Sequence, residues 1–424
     1  MIRTLKGPVR GLTAAVALSL LAVGCGNGEG SGKTADGKTI VKVAVWDYEK
    51  TPEFKALIDG FEAENKDIDV QPVDILSADY SNKVTTMLSG GDSTDVLTMK
   101  NVTDYARYGT RGQLQSLTTD VNKLDKAKYS GLDAFDLKGD YYAVPYRQDF
   151  WVLFYNKDLL KKSGADLSKL SWSDYAELAK KLTTGSGSAK VYGTYHQTWR
   201  SVVQAIAAAQ TGGDQLSGDY GFFKKQYEMA LDLQKSGAVM PFATAKTQQT
   251  TYDAMFSTRK TAMVPMGTWL AARLLQLKAE GKNDVDWGMA PLPQTSANGK
   301  TVTFGSPTAF AVNKKARNSA AAKKFVLWAS GPKGAAAIAK VGVVPSYTDD
   351  AVMKNFFGVK GMPNDDLSKK AMSPDTVKLE MPVSPKSSDI DQILKEEHEL
   401  VMSGEKSIDK GIEEMESRVK SEVE

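Results

Sequence analysis

The chain has 424 residues and a formal net charge of +3, and Arg3, Lys6 and Arg10 near its start supply that whole excess. The rest is neutral, which excludes a nucleic-acid-binding surface built on bulk positive charge. The single cysteine, Cys25, excludes an internal disulfide, so stability must come from core packing. A chain of this length is too long for one core and predicts two or more lobes.

Met1 to Gly24 combines the basic opening with an apolar run from Leu12 to Val23 and a small residue before Cys25. That is the layout of a cleaved signal peptide. The apolar run is shorter than the ~20 residues that a membrane span needs. Leu21-Ala22-Val23-Gly24-Cys25 resembles the lipobox of bacterial lipoproteins, and the resemblance implies cleavage before Cys25 and lipid on its thiol. The glycine-rich stretch that follows, up to residue 38, has almost nothing to bury and reads as a flexible tether.

Thr39 to Val45 is a nearly continuous apolar, β-branched run, as expected of a strand buried on both faces. Thr51-Pro52 opens a helix whose Phe54, Leu57, Ile58 and Phe61 share one face. Ile68 to Val73 reads as a second strand, Tyr80, Val84, Met87 and Leu88 mark a second helix, and Asp95 to Met99 a third strand. This alternation predicts an α/β lobe. A second lobe is expected after Val144-Pro145, with strands at Phe150–Tyr155, Val191–Tyr195, Thr261–Pro265 and Thr308–Val312. Helices are expected near Asn156–Lys162, at Trp172–Leu182, after Trp199 and at Thr268–Ala279, and Ile408, Ile412, Met415 and Val419 mark the last one. Trp151, Trp172, Trp287 and Trp328 read as packing residues, Asp95 as structural, and His398 as a surface residue of a charged helix.

Ligands of open α/β sheets lie beyond the carboxyl ends of the strands. That rule selects Trp46, Asp47 and Tyr48 after the first strand, Lys100 and Asn101 after the third, and Tyr146, Arg147, Gln148 and Asp149 in the lobe-crossing stretch. It also selects Tyr195, His196, Trp199 and Arg200, and then Trp269, with Gly267 letting a ligand approach the backbone. These types suit a sugar. Aromatic rings stack on the apolar face of a pyranose, while carboxylates, amides and cations hydrogen-bond to its hydroxyl rim. Aromatics spread over two lobes suit a ligand of more than one ring.

Two other classes stay open. Asp47, Glu49 and Asp149 offer carboxylates to a secreted glycoside hydrolase, and a polyamine, an iron chelate or a peptide are alternative solutes. No nucleophile elbow, His-Glu-x-x-His or phosphate-cradling loop occurs, and the two histidines lie far apart. Neither a metal site nor a cofactor is therefore expected. The strand-end set mixes signs and leans aromatic, which favours an uncharged sugar.

From Val41 onward the chain resembles the extracellular solute-binding proteins of ABC importers, in the maltose-binding-protein-like group that takes sugars and oligosaccharides. Pro145 to Lys162 carries the resemblance, above all Val152-Leu-Phe-Tyr-Asn-Lys-Asp-Leu-Leu-Lys-Lys162, with Thr94-Asp95-Val96 and Met266-Gly267-Thr268-Trp269 in support. Tyr146 and Arg147 stand where that signature has small or apolar residues. The resemblance implies a two-lobe α/β fold of the periplasmic-binding-protein type II, with the ligand in the cleft between lobes. The chain would cross near Val144–Val152, near Phe304–Val312 and around residue 350. The expected lobes are 39–147 with about 310–350, and 148–309 with about 351–424. Also implied is a monomeric, non-enzymatic carrier, tethered through Cys25 to the outer face of a bacterial cytoplasmic membrane and passing carbohydrate to permease subunits. In a Gram-negative cell that location is the periplasm.

Overall fold

The computed structural model describes residues 32–161, 163–297 and 299–423. The expected signal peptide and Cys25 lie outside the described residues. The β-branched run forms β1 (Thr39–Trp46), which pairs in parallel with β2 (Ile68–Ile75) and β3 (Val96–Met99). Helix α1 (Pro52–Glu64) starts on its proline and buries Phe54, Leu57, Ile58 and Phe61. Helices α2 (Tyr80–Ser89) and α3 (Val102–Thr110) complete the expected alternation.

Strand β4 runs over Ala143–Asn156 and is buried along all 14 residues, well beyond the expected Phe150–Tyr155. Its first half pairs antiparallel with β8 (Val302–Val312), and its second half with β6 (Thr261–Gly267). β7 (Trp287–Ala290) also lies on the second half, while β5 (Tyr192–Thr194) extends β6 and β9 (Thr376–Leu379) lies parallel to β8. The register shifts between Pro145 and Arg147, because proline offers no N–H to the ladder.

Two hydrophobic cores meet on this strand. Tyr146 belongs to one, built from β1, β3, α1 and Ala309–Val312. Phe150 belongs to the other, built from β5–β7, the Trp269–Ala279 helix and the C-terminal helices Ser387–Ser403 and Ile408–Glu422. The chain passes the junction again at Val344, whose carbonyl accepts from the Gln148 N–H at 3.1 Å. Two cores on shared strands make the two-lobe α/β architecture that the length called for. Among the described residues no helix is long and apolar enough to cross a membrane.

His398 corrects the reading of the C-terminal region. It is only 1% exposed, and its Nδ1 lies 3.1 Å from the Tyr227 hydroxyl. Ile390, Leu394 and His398 recur at helical spacing, so the imidazole shares the apolar face; Glu397 beside it is buried too, paired with Lys406 and Arg418. Trp151, Trp172 and Trp287 are buried as expected, and Trp328 packs edge-on against Phe61. Asp95 is structural, accepting from the N–H groups of Lys42 at 2.9 Å and Asn318 at 2.8 Å.

Candidate functional site

The carboxyl ends of β1, β2 and β3 come together in the first lobe. Trp46 closes β1 and is largely buried, its ring edge-on to Phe54 at 5.0 Å and Tyr80 at 5.2 Å. Two cations lie over the same indole, Lys100 Nζ at 5.2 Å and the Arg147 guanidinium at 5.4 Å. Asp47 takes a left-handed backbone with φ 43°, and its carboxylate accepts from the Ser77 N–H at 3.1 Å. Tyr48 is half-buried beside it, its N–H donating to Asp74 at 3.0 Å. Asn101 is occupied as the cap of α3: its Oδ1 accepts from the Asp104 N–H at 2.7 Å and its amide donates to the Asp104 carboxylate at 3.0 Å.

Alternation along β4 sets Arg147, Asp149 and Trp151 on one face. Arg147 Nε lies 2.8 Å from Asp149 Oδ2, and Nη1 pairs with Glu53 in the first turn of α1. The other Asp149 oxygen accepts from the Thr268 hydroxyl at 2.9 Å. Burial pushes both Glu53 and Asp149 up, against the pull of Arg147. Burial opposes the guanidinium charge too, but Asp149, Tyr146 and Glu53 together hold Arg147 above its ordinary value. Glu53 went unnoticed in the sequence because an acid in a first helical turn is what the helix dipole favours anyway.

Tyr146 does not join this group. Its ring stacks on Phe310 at 4.4 Å inside the first core, and burial pushes the phenol well up. Gln148 is buried, its amide donating to the Asp149 carbonyl at 3.1 Å.

In the second lobe Trp269 opens its helix directly after Thr268. Its ring centre lies 6.2 Å from Trp151 and 6.3 Å from Trp199, and Trp199 in turn stands 5.8 Å from Tyr252. Trp199 is 40% exposed, so this aromatic series ends at solvent. Nothing in the local sequence marks Tyr252, which arrives from a separate helix (Tyr252–Ser257).

Four expectations here are corrected. Gly267 does not leave room for a ligand, because a Cβ there would lie 1.9 Å from the Trp269 ring itself. His196 is buried in the second lobe, its Nε2 2.9 Å from the Tyr175 hydroxyl, and burial pushes it down to about 4. Arg200 is tied to Asp391 and Gln215, each at 2.7 Å. Tyr195 is likewise buried, donating to the Thr250 carbonyl at 2.8 Å. The strand-end rule selects positions; whether a side chain there turns to the cleft or to the core depends on packing.

What the structure brings together is one continuous run: Lys100, Trp46, Arg147 with Glu53, Asp149, Thr268, Trp269 and Trp199. It passes from the first lobe to the second and ends on the exposed ring of Trp199. The Gln276 amide also reaches across, donating to the Glu49 carbonyl at 2.7 Å. Asp149 is engaged on both oxygens, by Arg147 and by Thr268. Among the described residues no group of three or more His, Cys, Asp and Glu side chains is placed to hold a metal ion.

Residues 47–336 match the sequence profile of the bacterial extracellular solute-binding proteins. The crystal structure of a sugar transporter from Rhizobium etli, in an open conformation, is 34% identical and superposes with a TM-score of 0.75 over 90% of this chain and 99% of that one. Two more distant structures share the fold. An ABC substrate-binding protein from Listeria monocytogenes in complex with cycloalternan is 21% identical, with a TM-score of 0.76 over 90% of this chain and 98% of that one. A maltose/maltodextrin-binding domain from Bdellovibrio bacteriovorus bound to maltotriose is 19% identical, with a TM-score of 0.72 over 91% and 99%. With a profile match over most of its length and the two-lobe α/β fold of maltose-binding proteins, the chain belongs to the bacterial extracellular solute-binding proteins.

Proposed function

We propose that this protein captures a carbohydrate, an oligosaccharide of two or more rings, outside the cell and delivers it unaltered to the permease of an ABC importer. The observation that carries this reading is the pair Trp269 and Trp199, backed by the buried Trp151, beside the Arg147–Asp149 pair. Ring faces exclude water over the apolar side of a pyranose, and fixed polar groups sort its hydroxyls. The sugars held by the similar Listeria and Bdellovibrio proteins support it. In the same proposal a lipid on Cys25 holds a monomer at the outer face of the membrane, with lobes of 39–147 plus about 310–350 and 148–309 plus about 351–424.

A thermal-shift screen of mono- and oligosaccharides tests the reading. A ligand at 100 times its dissociation constant adds ~2.7 kcal/mol of stability, which such a screen detects. No shift with any saccharide, together with a shift from a polyamine, peptide or iron chelate, overturns it. Incubation of the best ligand followed by chromatography tests the carrier role; shorter products would put a hydrolase in its place. The anchor is tested apart, by the loss of Cys25→Ala protein from the membrane fraction.

A further inference from the structure

Among the described residues no carboxylate forms an ion pair with Lys100, although Asp47 and Asp104 attract it from farther away. Its ammonium donates to the Ser77 carbonyl at 2.7 Å and the Ser77 hydroxyl at 2.6 Å, both neutral oxygens. An ammonium has three N–H groups, so one donor is left for a further acceptor. Of the acids around it, Asp104 pairs with Arg107 at 2.6 Å and Glu53 and Asp149 pair with Arg147, whereas Asp47 accepts only the Ser77 N–H at 3.1 Å and attracts the ammonium without pairing with it. Burial outweighs the attraction of Asp47 and pushes the ammonium down to about 8. Arg147, the other cation over Trp46, is compensated twice over. Lys100 has no direct ion pair, and a half-buried ammonium gains from an anion that reaches its free N–H.

The geometry points to a ligand that carries one negative charge: a sugar ring bearing a carboxylate, seated beside Trp46 with its acid on Lys100. This rests on the carbohydrate reading above and narrows it, departing from the uncharged sugar that the mixed-sign strand ends suggested. A carboxylate meets the unused N–H with a charge-assisted hydrogen bond, stronger than any hydroxyl makes. The place is also apt, since Lys100 follows β3 directly and lies over the indole that closes β1.

Titration calorimetry on the mature protein tests this with di- and trisaccharides offered as parent sugar, as uronic acid, as its methyl ester and as 6-phosphate. The uronic acid is expected to bind tightest, at least about tenfold tighter than its ester, as a hydrogen bond to a charged group implies. Lys100→Gln is expected to bring that ratio close to one, and Lys100→Arg, which keeps the charge, to restore it. The unliganded melting point of each variant reports whether it folds. If the tightest ligand is a parent sugar, an ester or a phosphate, or if the ratio survives in Lys100→Gln, the inference is overturned while the sugar reading stands. If no saccharide of any kind binds, both fall together.

Discussion

The indole of Trp269 lies over Gly267, two residues before it, where any Cβ would meet the ring at 1.9 Å. The glycine therefore fixes the ring's orientation. On its other flank the ring is set by Thr268, whose hydroxyl is held by Asp149 at 2.9 Å. Gly267→Ala must displace the indole, and overpacking of this kind costs about 1–3 kcal/mol. The expected result is a lower melting point, together with a ligand-induced shift smaller than that of the parent protein. A variant with the parent's affinity would show that the orientation is immaterial to binding.

Trp269 and Trp199 should separate stability from binding. Trp269 is half-buried against Trp151, whereas Trp199 is 40% exposed. Trp199→Ala is expected to leave the unliganded melting point within a degree or so, as surface substitutions do. It should nonetheless weaken the best saccharide by roughly tenfold. Trp269→Ala should lower both quantities, with an affinity loss of about 2 kcal/mol, as for a central aromatic contact. Equal affinity for the parent and both variants would remove the aromatic series from the site.

Much of the first lobe was legible, because its strands are unbroken apolar runs and its helices carry clean apolar faces. β4 was read at half its length for a physical reason: Pro145, Arg147 and Asp149 interrupt the apolar pattern, yet the two charges neutralise one another at 2.8 Å and so stay inside the sheet. β9 (Thr376–Leu379) left no trace, being four residues of which none is buried. In the run from Lys100 to Trp199, the residues Trp46, Lys100, Arg147, Asp149, Trp199 and Trp269 follow from one rule about strand ends. Tyr146, Asn101 and His196 satisfied the same rule but turned to core or cap, which only packing decides. Glu53 was missed because its partner, Arg147, lies 94 residues away.

The Arg147 group makes a sharper stability prediction. Replacing the arginine by methionine leaves Glu53 and Asp149, both at most 2% exposed, as buried carboxylates without a cation. Breaking one partner out of such a group costs about 3–5 kcal/mol. Adding Glu53→Gln and Asp149→Asn removes the stranded charges, so the triple variant should regain most of that loss in urea unfolding. A single variant as stable as the parent, or a triple variant no better than the single, would refute this.

Acid sensitivity should come from the two buried imidazoles. Burial pushes His196 down to about 4 and His398 down to about 3, whereas both titrate near 6.5 when unfolded. Below pH 6.5 the unfolded chain therefore takes up protons that the folded chain refuses. Their contribution is complete above that pH and falls by about 1.4 kcal/mol per unit for each histidine as the pH drops toward 4. Between pH 7 and pH 5 the pair should cost about 4 kcal/mol. Glu53 and Asp149, raised by burial, act in the opposite direction, so the comparison must be made within one background. Urea midpoints at pH 7 and pH 5 for the parent, His196→Gln, His398→Gln and the double variant supply it. Each single variant should recover about half of the pH-dependent loss and the double variant nearly all, and a loss of the same size in all four would assign acid sensitivity to other groups.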